Sequence, residues 1–221
     1  YFITRMEKYL NSKGRNIIGW DEILEGGLAP NATVMSWRGV EGGLNAAKAG
    51  HNAIMTPNPY AYLDQYQEEP EIAPVTIGGY NTLKKTYSYN PVPDDANELV
   101  KKHIIGVQAC LWSERIDTPE RAEYLILPRL AALSELGWAD PEQHDFDAFM
   151  DRLYRLITVY DKSHYTYSEH VFQITENFRT DTLQDALEIS LSTIGNRPIY
   201  YTTDGSQPDT ASLIYTEPLI I

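Results

Sequence analysis

Apolar residues recur at helical spacing at Phe2, Met6, Tyr9 and Leu10, and Gly14 follows where a helix C-terminus favours a left-handed residue, so residues 1–13 are expected as a helix. Three short apolar runs come next: Asn16-Ile17-Ile18-Gly19-Trp20, Thr33-Val34-Met35-Ser36-Trp37 and Asn52-Ala53-Ile54-Met55-Thr56. Each is closed by Gly, Pro or charged residues, and each reads as a buried strand. Between the second and third, Glu41 to Gly50 carries Leu44, Ala47 and Ala49 over a length that suits one crossover helix. Residues 57–98 are rich in Pro, Gly, Tyr and Asn with little periodicity, the texture of a functional loop or of an excursion with short elements of its own. Ile104 to Trp112 supplies a fourth strand.

Thr118-Pro119-Glu120 sets a capping residue before proline with an acid in the first turn, and Leu125, Leu127, Leu130, Ala131, Leu133, Ser134 and Leu136 carry one mostly buried helix on to Gly137. Phe146, Phe149, Leu153, Leu156, Ile157 and Tyr160 repeat the period through residues 145–162. Strands alternating with helices predict a parallel α/β architecture. From about residue 170 the pattern changes to β alternation, with Leu187 to Leu191 and Ile199 to Thr203 ahead of an Asp204-Gly205 turn. This small β module ends at Ile221 without an obvious final strand pair and reads as incomplete.

Composition narrows the classes. The chain has 221 residues, 43% of them hydrophobic, with four tryptophans, enough for a sizeable core, and no apolar run approaches the length a membrane helix needs. Eighteen basic against 31 acidic residues give a formal charge of −13, which opposes a phosphate backbone and excludes a basic nucleic-acid face. Cys110 stands alone, so an internal disulfide is excluded and the redox compartment stays open. The five histidines are scattered and show no metal-ligand spacing. The chain opens on Tyr1 without an initiator Met or a signal-peptide pattern, and this is read as a cut.

Aromatic and acidic residues gather at the C-terminal ends of the strands: Trp20, Asp21 and Glu22; Trp37 and Arg38; Tyr62 and Asp64; Trp112 and Glu114. That edge is where a (β/α)₈ barrel builds its site. Indole faces stack on the C–H face of a pyranose and carboxylates accept bonds from its hydroxyls, so the mixture suits a sugar. A tryptophan at a strand end can also be core. Asp21 and Glu22 can equally be solvated loop charge, a helix cap or functional groups, and both readings stay open.

Six segments in order carry a resemblance: Gly19 to Glu22, Met35 to Gly39, Tyr62 to Gln67, Tyr87 to Pro93, Gly106 to Glu114 and Pro128 to Glu135. They resemble the fifth-strand-to-last-helix portion of glycoside hydrolase family 20 β-N-acetylhexosaminidases, and Ile199 to Pro208 is similar to the β module appended to many bacterial members. The resemblance implies the C-terminal half of a TIM-type barrel, strands five to eight, over residues 1–168, followed by a small β-sandwich-like module over 169–221. It implies that Trp20, Trp37 and Trp112 wall the pocket of a terminal N-acetylhexosamine, that Tyr62 holds its acetamido oxygen, and that Asp64 and Glu114 bind its outer hydroxyls.

The reaction so implied is exo-hydrolysis assisted by the substrate's own acetamido group. The family's acid pair, an Asp-Glu within His-x-Gly-Gly-Asp-Glu, occurs nowhere in these residues, and Asp21-Glu22 is rejected as its substitute because the Gly19-Trp20 context matches the fifth-strand motif. The chain alone is therefore expected to be inactive. Its expected partners are N-acetylhexosamine-terminated glycans and the missing N-terminal half of the barrel, with self-association of the fragment through unpaired edges. Neither metal nor cofactor is expected, and export to a bacterial periplasm or cell surface is. A non-catalytic carbohydrate-binding fragment is the alternative, and a plain interaction module in residues 170–221 is a third reading.

Overall fold

The four apolar runs form parallel strands β1 (Ile18–Trp20), β2 (Thr33–Ser36), β3 (Ala53–Met55) and β4 (Ile104–Val107), hydrogen-bonded in sequence order. They belong to a computed structural model that describes residues 1–181, 186–193 and 197–221. Gly19 pairs with Val34, Val34 with Ala53, and Ala53 with Ile104, with a register shift between Ala53 and Ile54. Each strand is added on the same side of the last, so the winding never reverses as it does in a doubly wound sheet. Among the described strands, β1 and β4 are edges.

Helix α1 (Phe2–Ser12) precedes β1, α2 (Glu41–Lys48) joins β2 to β3, α3 (Asn58–Ala61), α4 (Leu83–Tyr87) and α5 (Glu98–His103) lie between β3 and β4, and α6 (Pro119–Ile126) and α7 (Arg129–Trp138) follow β4. The long excursion therefore does contain short elements of its own, α3 and α4. Gly14 takes the left-handed φ of +69° that closes α1. Only part of the apolar set of α1 faces inward: Phe2 and Tyr9 are 67% and 59% exposed, while Glu7 is buried and accepts the backbone N–H of Asn31 at 3.0 Å.

Two expectations for residues 104–137 are corrected. The helix expected from Thr118 to Gly137 is broken into α6 and α7 at Pro128, which has no N–H to donate and whose ring crowds the preceding turn. The fourth strand stops at Val107, not Trp112. Beyond it the chain stays alongside the end of β3: Gln108 N–H donates to Met55 O at 3.0 Å, Cys110 N–H to Ala61 O at 2.9 Å, and Leu63 N–H to Cys110 O at 2.8 Å. Tyr62 and Trp112 are thereby carried to the same end of the sheet.

Ala47, Ala53, Met55, Tyr89, Val100, Leu133 and Leu136 form the core beneath α2, α5 and α7. Helix α2 comes close because it carries Gly42 and Gly43. A Cβ on Gly42 would lie 2.9 Å from Asp21 Cβ and 3.2 Å from Ser36 Oγ. Gly42→Ala is thus expected to destabilise by about 1–3 kcal/mol through overpacking, despite the better helix propensity of alanine. A rise in thermal midpoint would refute this.

The chain divides into one unit of residues 1–144 with 160–168 and another of 145–159 with 169–221. Helix α8 (Phe146–Ser163) contributes buried Phe149, Met150, Leu153 and Ile157. The second unit holds β5 (Ile174–Asp181), β6 (Ala186–Thr193), β7 (Tyr200–Tyr201), β8 (Leu213–Ile214) and β9 (Leu219–Ile220). Antiparallel sheets form in the orders β5-β6-β9 and β7-β8. The expected strand at 199–203 shrinks to β7, and its partner β8 comes only after residues 202–212, so Asp204-Gly205 is not a two-residue hairpin turn. The expectation of no final strand pair is also corrected: Leu219 pairs with Ile189 and Ile220 with Glu188.

Candidate active site

Strand β1 ends on Trp20 and passes into a 3₁₀ turn, Asp21–Leu24. Asp21 is buried, and its Oδ2 accepts the backbone N–H groups of Trp37 at 3.1 Å and Arg38 at 3.2 Å. Its Oδ1 accepts Arg38 Nε at 2.6 Å, and Glu25 takes the same guanidinium at 2.8 Å. Asp21 therefore fastens the end of β2 to the end of β1. Glu22 points the other way and accepts the Trp37 indole N–H with both carboxylate oxygens, at 3.0 and 3.1 Å. A charge-assisted bond to a fixed acceptor holds the indole in one orientation.

Trp37 so held lies beside Tyr62, with ring centroids 6.2 Å apart and planes at 29°, and Trp20 meets Trp112 at 5.9 Å and 45°. Trp20, Glu22, Trp37, Tyr62, Trp112 and Glu114 line one open cleft of about 280 Å³, near the lower end of small-ligand pockets, about 300 Å³. Five of the six residues expected from the sequence are thus brought together. Asp64 is not among the lining residues, and Glu22, which the sequence reading left undecided, is.

Asp64 is 2% exposed, and its Oδ2 accepts the backbone N–H of Trp112 at 3.0 Å. Its Oδ1 has no hydrogen-bond partner among the described residues. Burial, and to a lesser degree Glu114, raises its pKa, while the Trp112 N–H and Arg129 oppose the rise. Arg129 is fully buried, its fork donating to the carbonyls of Leu63 and Leu125 at 2.6 Å, Asn81 at 2.7 Å and Gln65 at 3.1 Å. It ties the segment bearing Tyr62 and Asp64 to the end of α6. Burial pulls its pKa down to about 9, so it stays charged at neutral pH.

The Tyr62 hydroxyl is pushed up to about 12, first by burial and then by neighbouring Cys110, with a hydrogen bond from Trp112 acting against the rise. Cys110 is buried behind it, its Sγ 3.1 Å from Thr56 Oγ1, and burial raises the thiol. The cleft thus offers three indole faces, a protonated phenol and two carboxylates. Among the described residues there is no group of three or more His, Cys, Asp or Glu placed to hold a metal, and no helix long and apolar enough to cross a membrane.

Residues 1–141 match the family described as glycosyl hydrolase family 20, catalytic domain. The chain belongs to glycosyl hydrolase family 20. A further match, described as Fn3 associated, covers residues 187–221 of this family 20 chain. It is 41% identical to a β-hexosaminidase of Porphyromonas gingivalis over 99% of its own length and 28% of the relative's, and 35% identical to one of Vibrio furnissii over 62% and 23%. The chain therefore spans about a quarter of the curated relatives it matches.

Among solved structures, the family 20 chain resembles the exo-β-N-acetylglucosaminidase of Vibrio harveyi determined with N-acetylglucosamine, with a TM-score of 0.68 and 31% identity over 76% of this chain and 27% of that one. The β-N-acetylhexosaminidase of Streptomyces coelicolor gives the same TM-score at 23% identity, over 76% and 35%, a likeness of fold. These likenesses place the first unit in the TIM-barrel-like α/β class.

Proposed function

We propose that this chain forms the substrate-positioning wall of an exo-acting β-N-acetylhexosaminidase, one that removes terminal non-reducing N-acetylglucosamine or N-acetylgalactosamine. The observation that carries the reading is the cleft itself, where Trp20, Trp37, Trp112, Tyr62 and Glu114 converge at or beyond the ends of four strands. The relatives' names agree with it. In this reading residues 1–168 are strands five to eight of a (β/α)₈ barrel with their helices, and 169–221 an appended β module.

The three indoles pack the pyranose and its acetamido group, which holds the acetamido oxygen against its own anomeric carbon. Such prepaid orientation is the main thing an intramolecular displacement requires. Tyr62 donates its proton-bearing hydroxyl to the acetamido oxygen. Glu114 accepts from ring hydroxyls, while Asp64, buried and outside the lining, positions Trp112 through the backbone N–H that its Oδ2 accepts at 3.0 Å. Protonation of the leaving oxygen is assigned to chain outside these residues, because the acid-pair motif does not occur in them.

The test is hydrolysis of a chromogenic β-N-acetylglucosaminide by the longest natural chain that contains these residues, beside the 221-residue chain alone. Turnover by the first and not the second supports the proposal, and no turnover by either overturns it. Calorimetry of the short chain with N-acetylglucosamine tests the binding alternative, which requires affinity where hydrolysis fails in both. The short chain is also expected to self-associate at tens of micromolar, because Ile18 on edge β1 and Ile105 on edge β4 are 55% and 54% exposed. Size exclusion giving a monodisperse monomer would oppose that expectation.

A further inference from the structure

The second unit holds a cavity of its own, of about 440 Å³, which the function proposed above leaves unused. It lies between helix α8, the turn at Glu169–Phe172, the start of β5, the end of β6 and the start of β7. Its volume exceeds that of the strand-end cleft and falls among small-ligand pockets, about 300–1,000 Å³. Tyr154, Phe172 and Tyr200 supply its aromatic surface, the first two with ring centroids 5.4 Å apart and planes at 43°.

Arg197 decides the chemistry of this cavity. Its guanidinium lies 3.7 Å from the centroid of Tyr154, Nη2 donates to Asp151 at 3.0 Å, and Thr193 Oγ1 accepts the Arg197 backbone N–H at 2.8 Å. A side chain so held keeps its place before a ligand arrives, which lowers the entropy lost on binding. Within the guanidinium only Nη2 has a hydrogen-bond partner among the described residues, so the rest of the five-donor fork can reach a ligand. Its charge is answered by Asp151, while Asp209, the acid in the lining, already accepts the Ala211 N–H at 2.8 Å and the Ser212 hydroxyl at 3.2 Å. Gln207 and Thr210 add an amide and a hydroxyl. With Tyr154 covered by the guanidinium, Phe172, 40% exposed, is left as an open ring.

We infer that the second unit carries a sugar site distinct from the strand-end cleft, in which a neutral pyranose lays its C–H face on Phe172 while Arg197, Gln207 and Thr210 bond its hydroxyls. An aromatic platform beside a rim of donors and acceptors suits a pyranose, since every hydroxyl can act as either. Because Arg197 and Asp209 are both engaged and opposite in sign, the lining carries no net charge, and a neutral ligand fits it.

The experiment titrates the longest natural chain with cellotriose, maltotriose and lactose, neutral sugars that lack the acetamido group the strand-end cleft is proposed to grip, and reads binding by saturation-transfer NMR and calorimetry. At least one should bind with a Kd of about 1 mM or tighter, and Phe172→Ala should weaken it about tenfold. Arg197→Gln, at an exposed position, removes the fixed fork and should weaken binding severalfold, which keeps the test decisive where the first variant fails to fold. Neither residue lines the strand-end cleft, so hydrolysis of a chromogenic β-N-acetylglucosaminide should be the same in both variants as in the unaltered protein. No binding of any of these sugars at about 10 mM would overturn the inference. So would equal affinity in the unaltered protein and both variants, or binding of a proline-rich peptide in place of every sugar. Absence of hydrolysis is a separate result, which bears on the function proposed above and not on this site.

Discussion

Replacing Arg129 with leucine is expected to cost about 3–5 kcal/mol of folding stability, the range for breaking a buried charge network by removing one partner. The guanidinium is fully buried and satisfies the carbonyls of Leu63, Gln65, Asn81 and Leu125. The Leu125 carbonyl belongs to the last turn of α6, where helical partners run out. Leucine would leave these acceptors short of donors and deprive Asp64 of its compensating charge. Lysine should fare little better, because one ammonium cannot reproduce the planar fork. Since a domain's whole stability is about 5–15 kcal/mol, urea unfolding followed by tryptophan fluorescence should show the transition moved far toward water. A loss below about 1 kcal/mol would contradict the role given to Arg129.

The largest catalytic effect is expected at Tyr62. Tyr62→Phe in the longest natural chain should lower kcat/KM for a β-N-acetylglucosaminide by about 10²–10³, the usual consequence of removing a donor aimed at developing charge. Phenylalanine keeps the ring beside Trp37, so stability should change little and the loss should fall on turnover. Unchanged turnover would sink the assignment. Because the Tyr62 pKa lies at about 12, the hydroxyl remains a donor across the whole working range, and alkaline loss of activity below about pH 11 should not originate there. The matching stability term has a definite sign. The folded pKa is raised above the ordinary value of 10, so the contribution is complete below pH 10 and is lost as pH climbs toward 12.

The parallel strands were legible because buried strands write themselves as continuous apolar runs between turn residues, and the strand-end aromatics followed from their spacing. What escaped the sequence was long-range hydrogen bonding. Nothing local tells that Arg129 reaches the carbonyl of Leu63, or that Glu7 turns inward to take the N–H of Asn31 while Phe2 and Tyr9 face outward. Adjacent Asp21 and Glu22 read alike in one dimension, yet the first is a buried clamp on Arg38 and the second lines the cleft. The signal for Glu22 was present in Gly19-Trp20-Asp21-Glu22 but did not say which acid faced the cleft. The break at Pro128 could have been drawn from proline chemistry, and the leucine periodicity on both sides concealed it. Two-residue strands such as β8 and β9 are too short for any alternation to show.

Cys110 gives the molecule a built-in reporter. Its thiol is the single one in the chain, it is buried behind Tyr62, and burial holds it protonated above the ordinary thiol range. Alkylation therefore has to await a local opening that exposes the sulfur and lets it ionise. The rate of modification becomes a clock for breathing of this wall of the cleft, and a ligand seated against Tyr62 should slow that clock in proportion to its occupancy.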